Sequence, residues 1–156
     1  MDVREFQGKA VVSLDDAERV GRVSDVLFET DRLRIAGFRV EGEEGDYVLP
    51  FDRISSVGPD AITVETQDMV RRQVANAPVD NLPGLSELID LKIVDESGTY
   101  QGTVRTFDAD GTTGEVSSLD IEKGGVMGLG SEHQSIPVST IRSIGRGVIT
   151  VRNAVG

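Results

Sequence analysis

PFDRISSVGPDAITV (residues 50–64) and PVSTIRSIGRGVITV (residues 137–151) stand 87 positions apart and share 7 of 15 residues. Each opens on proline, crosses a glycine-bearing turn and closes on Ile-Thr-Val. Working outward, GRV at 21–23 returns as GTV at 102–104, and AGFRVE at 36–41 as SSLDIE at 117–122, both 81 positions later. EFQGKAVV at 5–12 matches ELIDLKIV at 87–94 at an offset of 82. An offset that drifts by one residue early and by six late puts the insertions in loops, as expected when each copy is one supersecondary unit. The chain is a duplicated small domain. Repeat one covers residues 1–66, repeat two residues 86–156, and residues 67–85 join them.

Units of this size bury only ~60% of their chain surface. The copies are therefore expected to dock on each other or on another chain. Aromatic residues make up only 4% of the sequence, so Val, Ile and Leu must carry the burial, which suits β-structure. The net charge of −11 is shared between the repeats as −7 and −4, with the joining segment neutral. Such a surface repels phosphate backbones and argues against unaided nucleic-acid binding. The absence of cysteine excludes disulfides, thiolate nucleophiles and Cys-ligated metals. No stretch approaches the ~20 apolar residues of a membrane span, and MDVREFQG at the start does not resemble a signal peptide. The expected location is the cytoplasm.

Short strands separated by turn residues run through both copies. In repeat one, AVVSL (10–14), GRVSDVLFE (21–29), IAGFRV (35–40), YVLP (47–50) and AITVE (61–65) read as strands. Ala36, Phe38 and Val40 alternate onto one face, as do Ile62 and Val64. EGEEGD (41–46) reads as a hairpin loop and Gly58-Pro59-Asp60 as a tight turn. Repeat two follows with LKIV (91–94), GTVRTF (102–107), VSSLDI (116–121), HQSIP (133–137) and VITV (148–151). Leu119 and Ile121 take the places of Phe38 and Val40, and Ile149 and Val151 those of Ile62 and Val64, so the inward face is kept in type. Between the copies, Val70, Val74 and Ala77 recur at helical spacing, with Thr66 as a cap and Pro78 as a stop. They predict one short helix followed by an extended linker.

Gly8, Lys9, Val11 and Val12 on an opening strand, then Gly21, Val23 and Asp25, then Pro50 through Val64 as the close, form a pattern that resembles the PRC-barrel domain. Residues 86–104 and 136–151 carry it again, departing at Asp90, where the family often has glycine, and at Arg146-Gly147, where the turn often carries Asp. Relatives in that family include the cytoplasmic domain of the reaction-centre H subunit and the C-terminal domain of the ribosome maturation factor RimM. The resemblance implies an all-β chain of two tandem small PRC-type β-barrels joined by a short helical linker. It also implies a non-catalytic role, with no catalytic residues and no cofactor to carry over.

Few segments could carry chemistry. KGGVMGLGSEHQS (123–135) is a hairpin tip six residues longer than its counterpart in repeat one. It lacks the last glycine and the following helix of a dinucleotide-binding turn. It reads instead as a partner-contact loop, with Val126, Met127, Leu129 and His133 as the candidate partner-binding residues. Ser131, Glu132 and His133 lack a nucleophile elbow, and one histidine is not a metal site. Asp108, Asp110, Gly111 and Glu115 echo a calcium loop, but the glycine comes too early, so an Asp-Gly turn is expected. Asp15, Asp16 and Glu18, and likewise Glu41, Glu43, Glu44 and Asp46, read as solvated acidic turns. No metal site is expected.

These readings converge on a protein–protein interaction or scaffold module, arranged as a pseudo-twofold pair. The partner is expected to be a protein, favoured as basic by the charge, or a second copy of the chain. Two alternatives belong to other classes. One is an accessory factor in ribosome or RNA metabolism that binds a basic ribosomal protein; the other is a small-ligand or metal-responsive module.

Overall fold

The alternating strands of each copy fold into an antiparallel meander whose last strand returns to the first. In the computed structural model, which describes residues 1–74, 77–124 and 132–153, repeat one contains β1 (Ala10–Ser13), β2 (Arg19–Glu29), β3 (Arg34–Gly42), β4 (Gly45–Pro50), β5 (Ile54–Val57) and β6 (Ala61–Val64). A two-residue strand from the joining segment, β7 (Arg71–Arg72), completes its sheet in the order β5-β6-β1-β2-β3-β4-β7. Repeat two contains β8 (Lys92–Asp95), β9 (Tyr100–Ala109), β10 (Val116–Lys123), β11 (Glu132–Pro137), β12 (Ile141–Ile144) and β13 (Val148–Val151), in the order β11-β10-β9-β8-β13-β12. The topology is the same in both: β6 lies parallel to β1, and β13 parallel to β8. The all-β, tandem-repeat expectation holds, and β5 and β12 are strands that periodicity alone did not mark.

The expected inward residues are inside. Phe38, Val40, Ile62, Val64, Leu119, Ile121, Ile149 and Val151 are buried. Ala36 is the exception. The β2–β3 register passes from Leu27↔Gly37 to Phe28↔Ile35, so Ala36 is the extra residue of a bulge. Beyond a bulge the strand faces exchange, which is why Ile35 is buried in its place. Phe6, Phe38 and Phe51 form a chain of tilted rings in repeat one, with centroids 5.0 and 6.2 Å apart. Phe28 meets Phe107 of repeat two at 5.4 Å, within a hydrophobic cluster that spans both copies.

The repeats grip each other reciprocally. A 3₁₀ turn (Val3–Phe6) precedes β1, and its equivalent before β8 is the single-turn helix α1 (Leu85–Leu88). Each carries a backbone bridge to the other repeat's long second strand: Asp2 pairs with Asp108, and Gly84 with Leu27. These are equivalent contacts under the repeat offset. Arg34 bridges to its own equivalent, Glu115. On either side of it the Ile35 amide donates to the Gly114 carbonyl (2.8 Å) and the Val116 amide to the Leu33 carbonyl (3.3 Å). A residue that meets its own counterpart marks a twofold interface, so the pair has pseudo-twofold symmetry.

The departure at Asp90 has a local explanation. Gly8 has φ +82° and Asp90 φ +72°, and their amides donate to the equivalent carbonyls of Val23 and Val104, both at 2.9 Å. Asp tolerates this left-handed conformation better than most side-chain-bearing residues. Lys9, next to the glycine, donates from Nζ to the Gly58 and Pro59 carbonyls at 2.9 and 2.8 Å, tying the opening strand to the closing turn.

Helix is minor between the repeats. The run expected over Val70, Val74 and Ala77 is instead a 3₁₀ turn (Gln67–Met69), then β7, then a second 3₁₀ turn (Val79–Asn81). Thr66 precedes the first turn without a side-chain capping bond, its hydroxyl donating to Asp68. The reason is the edge of β4. Tyr47 and Val48 pair with Arg72 and Arg71, and backbone bonds to an open sheet edge compete with a helical ladder too short to sustain itself. Val70 is buried while Val74 is 51% exposed, so the apolar stripe is not used as one. Among the described residues no helix is long and apolar enough to cross a membrane.

Candidate functional site

The two sheets share a topology but differ in what covers them. In repeat one the joining segment lies over β2, β3 and β4. The Gln73 amide donates to the Asp46 carbonyl (3.2 Å). The Phe28 amide donates to the Pro83 carbonyl (3.0 Å), a bond that repeat two repeats between the Ala109 amide and the Met1 carbonyl (2.8 Å). Asp80 fastens the segment. Its side chain is 1% exposed and takes a bidentate pair from Arg71, at 2.6 and 3.0 Å. The Val74 amide donates to it as well, at 2.6 Å. Arg71 holds the Asp80 carboxyl below the usual carboxylate range against the opposing effect of burial, with help from the Val74 amide and the charges of Arg71 and Arg39. Beneath this cover Leu27 and Val48 are fully buried.

In repeat two the described residues place only the N-terminal residues on the counterpart of this face. Leu27, Gly37, Arg39 and Val48 correspond to Asp108, Ser118, Asp120 and Ser135. The last four, with Asp2, Thr106 and Phe107, line an open hollow of about 270 Å³. Asp120 pairs with Arg105 at 2.6 Å, and Asp108 with the amino terminus. Asp2 takes Nε and Nη2 of Arg4 at 3.1 and 2.7 Å and the Thr106 hydroxyl at 2.6 Å. Burial would raise the Asp2 carboxyl, but donation from Arg4 and Thr106 outweighs it and brings the pKa to about 2.

The edge strand beside this hollow is β11. From Glu132 to Ser135 its residues are exposed, whereas Val48 and Leu49 of the equivalent β4 are buried. Among the described residues β11 is the last strand on its side of the sheet, with β10 as its neighbour. Alternate residues of an edge strand turn their backbone groups outward. The Gln73–Asp46 bond identifies Asp46 and Val48 as the outward pair on β4, and so His133 and Ser135 on β11 by the 87-residue offset. Arg39, Val48 and Arg71 form one cross-strand row in repeat one; Asp120 and Ser135 form the first two places of the same row in repeat two.

Of the candidate residues read from sequence, His133 lies exposed on β11 opposite Glu122. Val126, Met127 and Leu129 lie outside the described residues, as does Ser131. The acidic turns have structural partners. Asp110 accepts the Thr112 and Thr113 amides at 2.7 and 3.1 Å, and Glu115 pairs with Arg32 at 2.8 Å. Asp16 accepts from Gln67 at 2.6 Å, and Glu44 pairs with Arg72 at 3.4 Å. Among the described residues no group of three or more His, Cys, Asp or Glu side chains could hold a metal ion. Asp80, Asp120 and Ser135 were missed by motif reading. Repeat alignment carried the signal, because it sets Val48 against Ser135 and Leu27 against Asp108.

A search of curated proteins finds no match. A family model for the PRC-barrel domain matches twice, over residues 1–69 and 83–155. The limits of the two matches fall on either side of the segment that covers repeat one. The chain belongs to the PRC-barrel family and holds two tandem copies of its domain.

Proposed function

We propose that this protein is a non-catalytic interaction module whose working surface is the β9–β10–β11 face of repeat two. The observation that carries the reading is the asymmetry between copies: the edge that repeat one pairs with β7 has no strand paired to it among the described residues of repeat two. Open sheet edges are recognised by backbone pairing, and the family supplies interaction and scaffold domains. The net charge of −11 favours a basic protein partner, a ribosomal protein being one such class. The loop of residues 124–131 adjoins β11 in sequence and is the second element of the proposed contact.

The test is a pull-down from source-organism lysate at low and high salt, comparing the full chain with a variant lacking residues 124–131 and with Ser135→Pro. The reading expects a stoichiometric protein that is lost at high salt and lost from both variants. Recovery of the bait alone, together with a melting temperature raised by a small molecule or divalent ion, would replace it with a ligand-responsive function. Co-sedimentation with ribosomal subunits at low salt would identify the partner class.

A further inference from the structure

We infer that the edge of β11, which no other described strand pairs, accepts an extended basic segment of a partner protein as an added antiparallel strand, with an arginine or lysine opposite Ser135 and in the row of Asp120. The inference rests on the interaction reading above and gives the partner its chemistry.

Repeat one supplies the template. There an extended segment already occupies the equivalent edge, antiparallel to β4, with Arg71 opposite Val48. Its arginines are held by side chains as well as by the backbone, on opposite faces of the strand: Arg72 lies 5.6 Å from the Tyr47 ring centroid and pairs with Glu44, and Arg71, on the Val48 face, pairs with Asp80. In that row Arg71 arrives beside Arg39, a like charge two strands away. The segment brings its own carboxylate, Asp80, whose backbone carbonyl also takes Arg39 at 3.5 Å.

Repeat two changes the charge of that row. Asp120 stands where Arg39 stood and is paired with Arg105 at 2.6 Å, so an arriving cation meets the carboxylate of an ion pair in place of a like charge. On and beside the face the five carboxylates of Asp2, Asp108, Asp120, Glu122 and Glu132 exceed by one the cations of Arg4, Arg105, Lys123 and the amino terminus. Opposite charges placed across a sheet attract and like charges repel, so an acidic strand is disfavoured here. The outward backbone groups of His133 and Ser135 provide the ladder, and the row through Asp120 provides the selectivity. The hollow of about 270 Å³ beside Asp120 and Ser135 gives a long basic side chain room to lie.

The experiment uses the full chain and a synthetic peptide of about twelve residues, alternating arginine and valine, long enough to span an edge strand. Its counterparts replace arginine by glutamate, or N-methylate alternate backbone nitrogens. Binding is read by fluorescence anisotropy and by amide hydrogen exchange at His133 and Ser135. The arginine peptide should bind and slow exchange at both amides. The glutamate and N-methyl peptides should bind at least about tenfold more weakly, as should the arginine peptide to Ser135→Pro. Proline on an outward edge position removes a ladder donor without taking a bond from β10; if that variant does not fold, the N-methyl peptide makes the same test on the native chain. Asp120→Asn should reduce the preference for arginine over glutamate. Equal binding of the two charge types would overturn the proposal, as would binding that leaves the His133 and Ser135 amides exchanging freely. A dimer of the chain that dissociates on Ser135→Pro would also overturn it, by assigning the edge to a second copy. The lysate pull-down reads the broader function separately: a protein captured there through Ser135 while every peptide fails would leave the interaction role standing and sink this one.

Discussion

The Ser86 hydroxyl of repeat two donates a 2.6 Å hydrogen bond to the Asp25 carboxylate of repeat one. At the pseudo-equivalent junction the roles are exchanged. The Thr106 hydroxyl, at the position of Asp25, donates to Asp2, at the position of Gly84, also at 2.6 Å. One junction takes its carboxylate from the long strand, the other from the turn that packs on it. Gly84 shows why both cannot do so, because a Cβ there would lie 2.1 Å from Asp25 Oδ2.

Gly84→Asp should therefore destabilise the protein by about 3 kcal/mol, from overpacking and a second carboxylate in one site. Asp25→Thr should cost about 1–2 kcal/mol through lost hydrogen bonds. Combining the two rebuilds the Thr106–Asp2 arrangement, and the double variant should be more stable than Gly84→Asp alone. Urea denaturation of the four proteins closes the cycle; strictly additive losses would show that the carboxylates do not share a site.

Asp80 should be the most sensitive residue of the joining segment. Asp80→Ala leaves Arg71 without its partner and exposes the buried ends of a charge pair, an effect of about 3 kcal/mol. The covering segment should then detach locally, uncovering Leu27 and Val48. Limited proteolysis should cut between residues 66 and 84 in the variant well before the wild type, and Arg71→Ala should give the same cut with a smaller loss of stability, since the Arg71 side chain is 35% exposed.

Acid should weaken the protein through Asp2 and Asp80. Both carboxyls are held below their ordinary range, Asp2 at about 2. A carboxyl depressed in the folded state binds fewer protons than it does unfolded, so its contribution is complete above the unfolded value of ~3.9 and is lost as pH falls toward the folded one. Stability should thus drop between about pH 4 and pH 2. Asp2→Asn should flatten that slope while costing about 1–2 kcal/mol at pH 7, the smaller figure allowing for its partial exposure. A slope unchanged in Asp2→Asn, followed by urea melts across the range, would place the acid sensitivity elsewhere.

The repeat made most of the fold legible before any coordinate. Proline, glycine and Ile-Thr-Val at fixed offsets placed the closing strands, and the alternation of Phe38 with Val40 placed the inner face. Two things escaped for physical reasons. The Ala36 bulge depends on the register with β2, which no single strand records. The conformation of residues 67–72 follows the edge of β4, so a helical spacing of Val70, Val74 and Ala77 is overridden by a tertiary contact. The candidate surface escaped motif reading because Asp120 and Ser135 belong to no motif. They matter only as departures from Arg39 and Val48, and that comparison needs the sheet to show what those two residues touch.

Near the pseudo-twofold axis the copies have diverged in charge. Arg34 bridges to Glu115, its own equivalent, and Arg32 pairs with Glu115 at 2.8 Å. Two identical copies of repeat one would instead set arginine against arginine, so Glu115→Arg restores the repulsion that divergence removed. The side chains of Arg32 and Glu115 are 74% and 55% exposed, so water screens the interaction and the loss should be no more than about 1 kcal/mol. Salt identifies its origin. The difference in melting temperature between wild type and Glu115→Arg should shrink as ionic strength rises past the range at which the Debye length falls below ~8 Å. A deficit that persists undiminished in high salt would mean that Glu115 acts through packing at the axis, not through its charge.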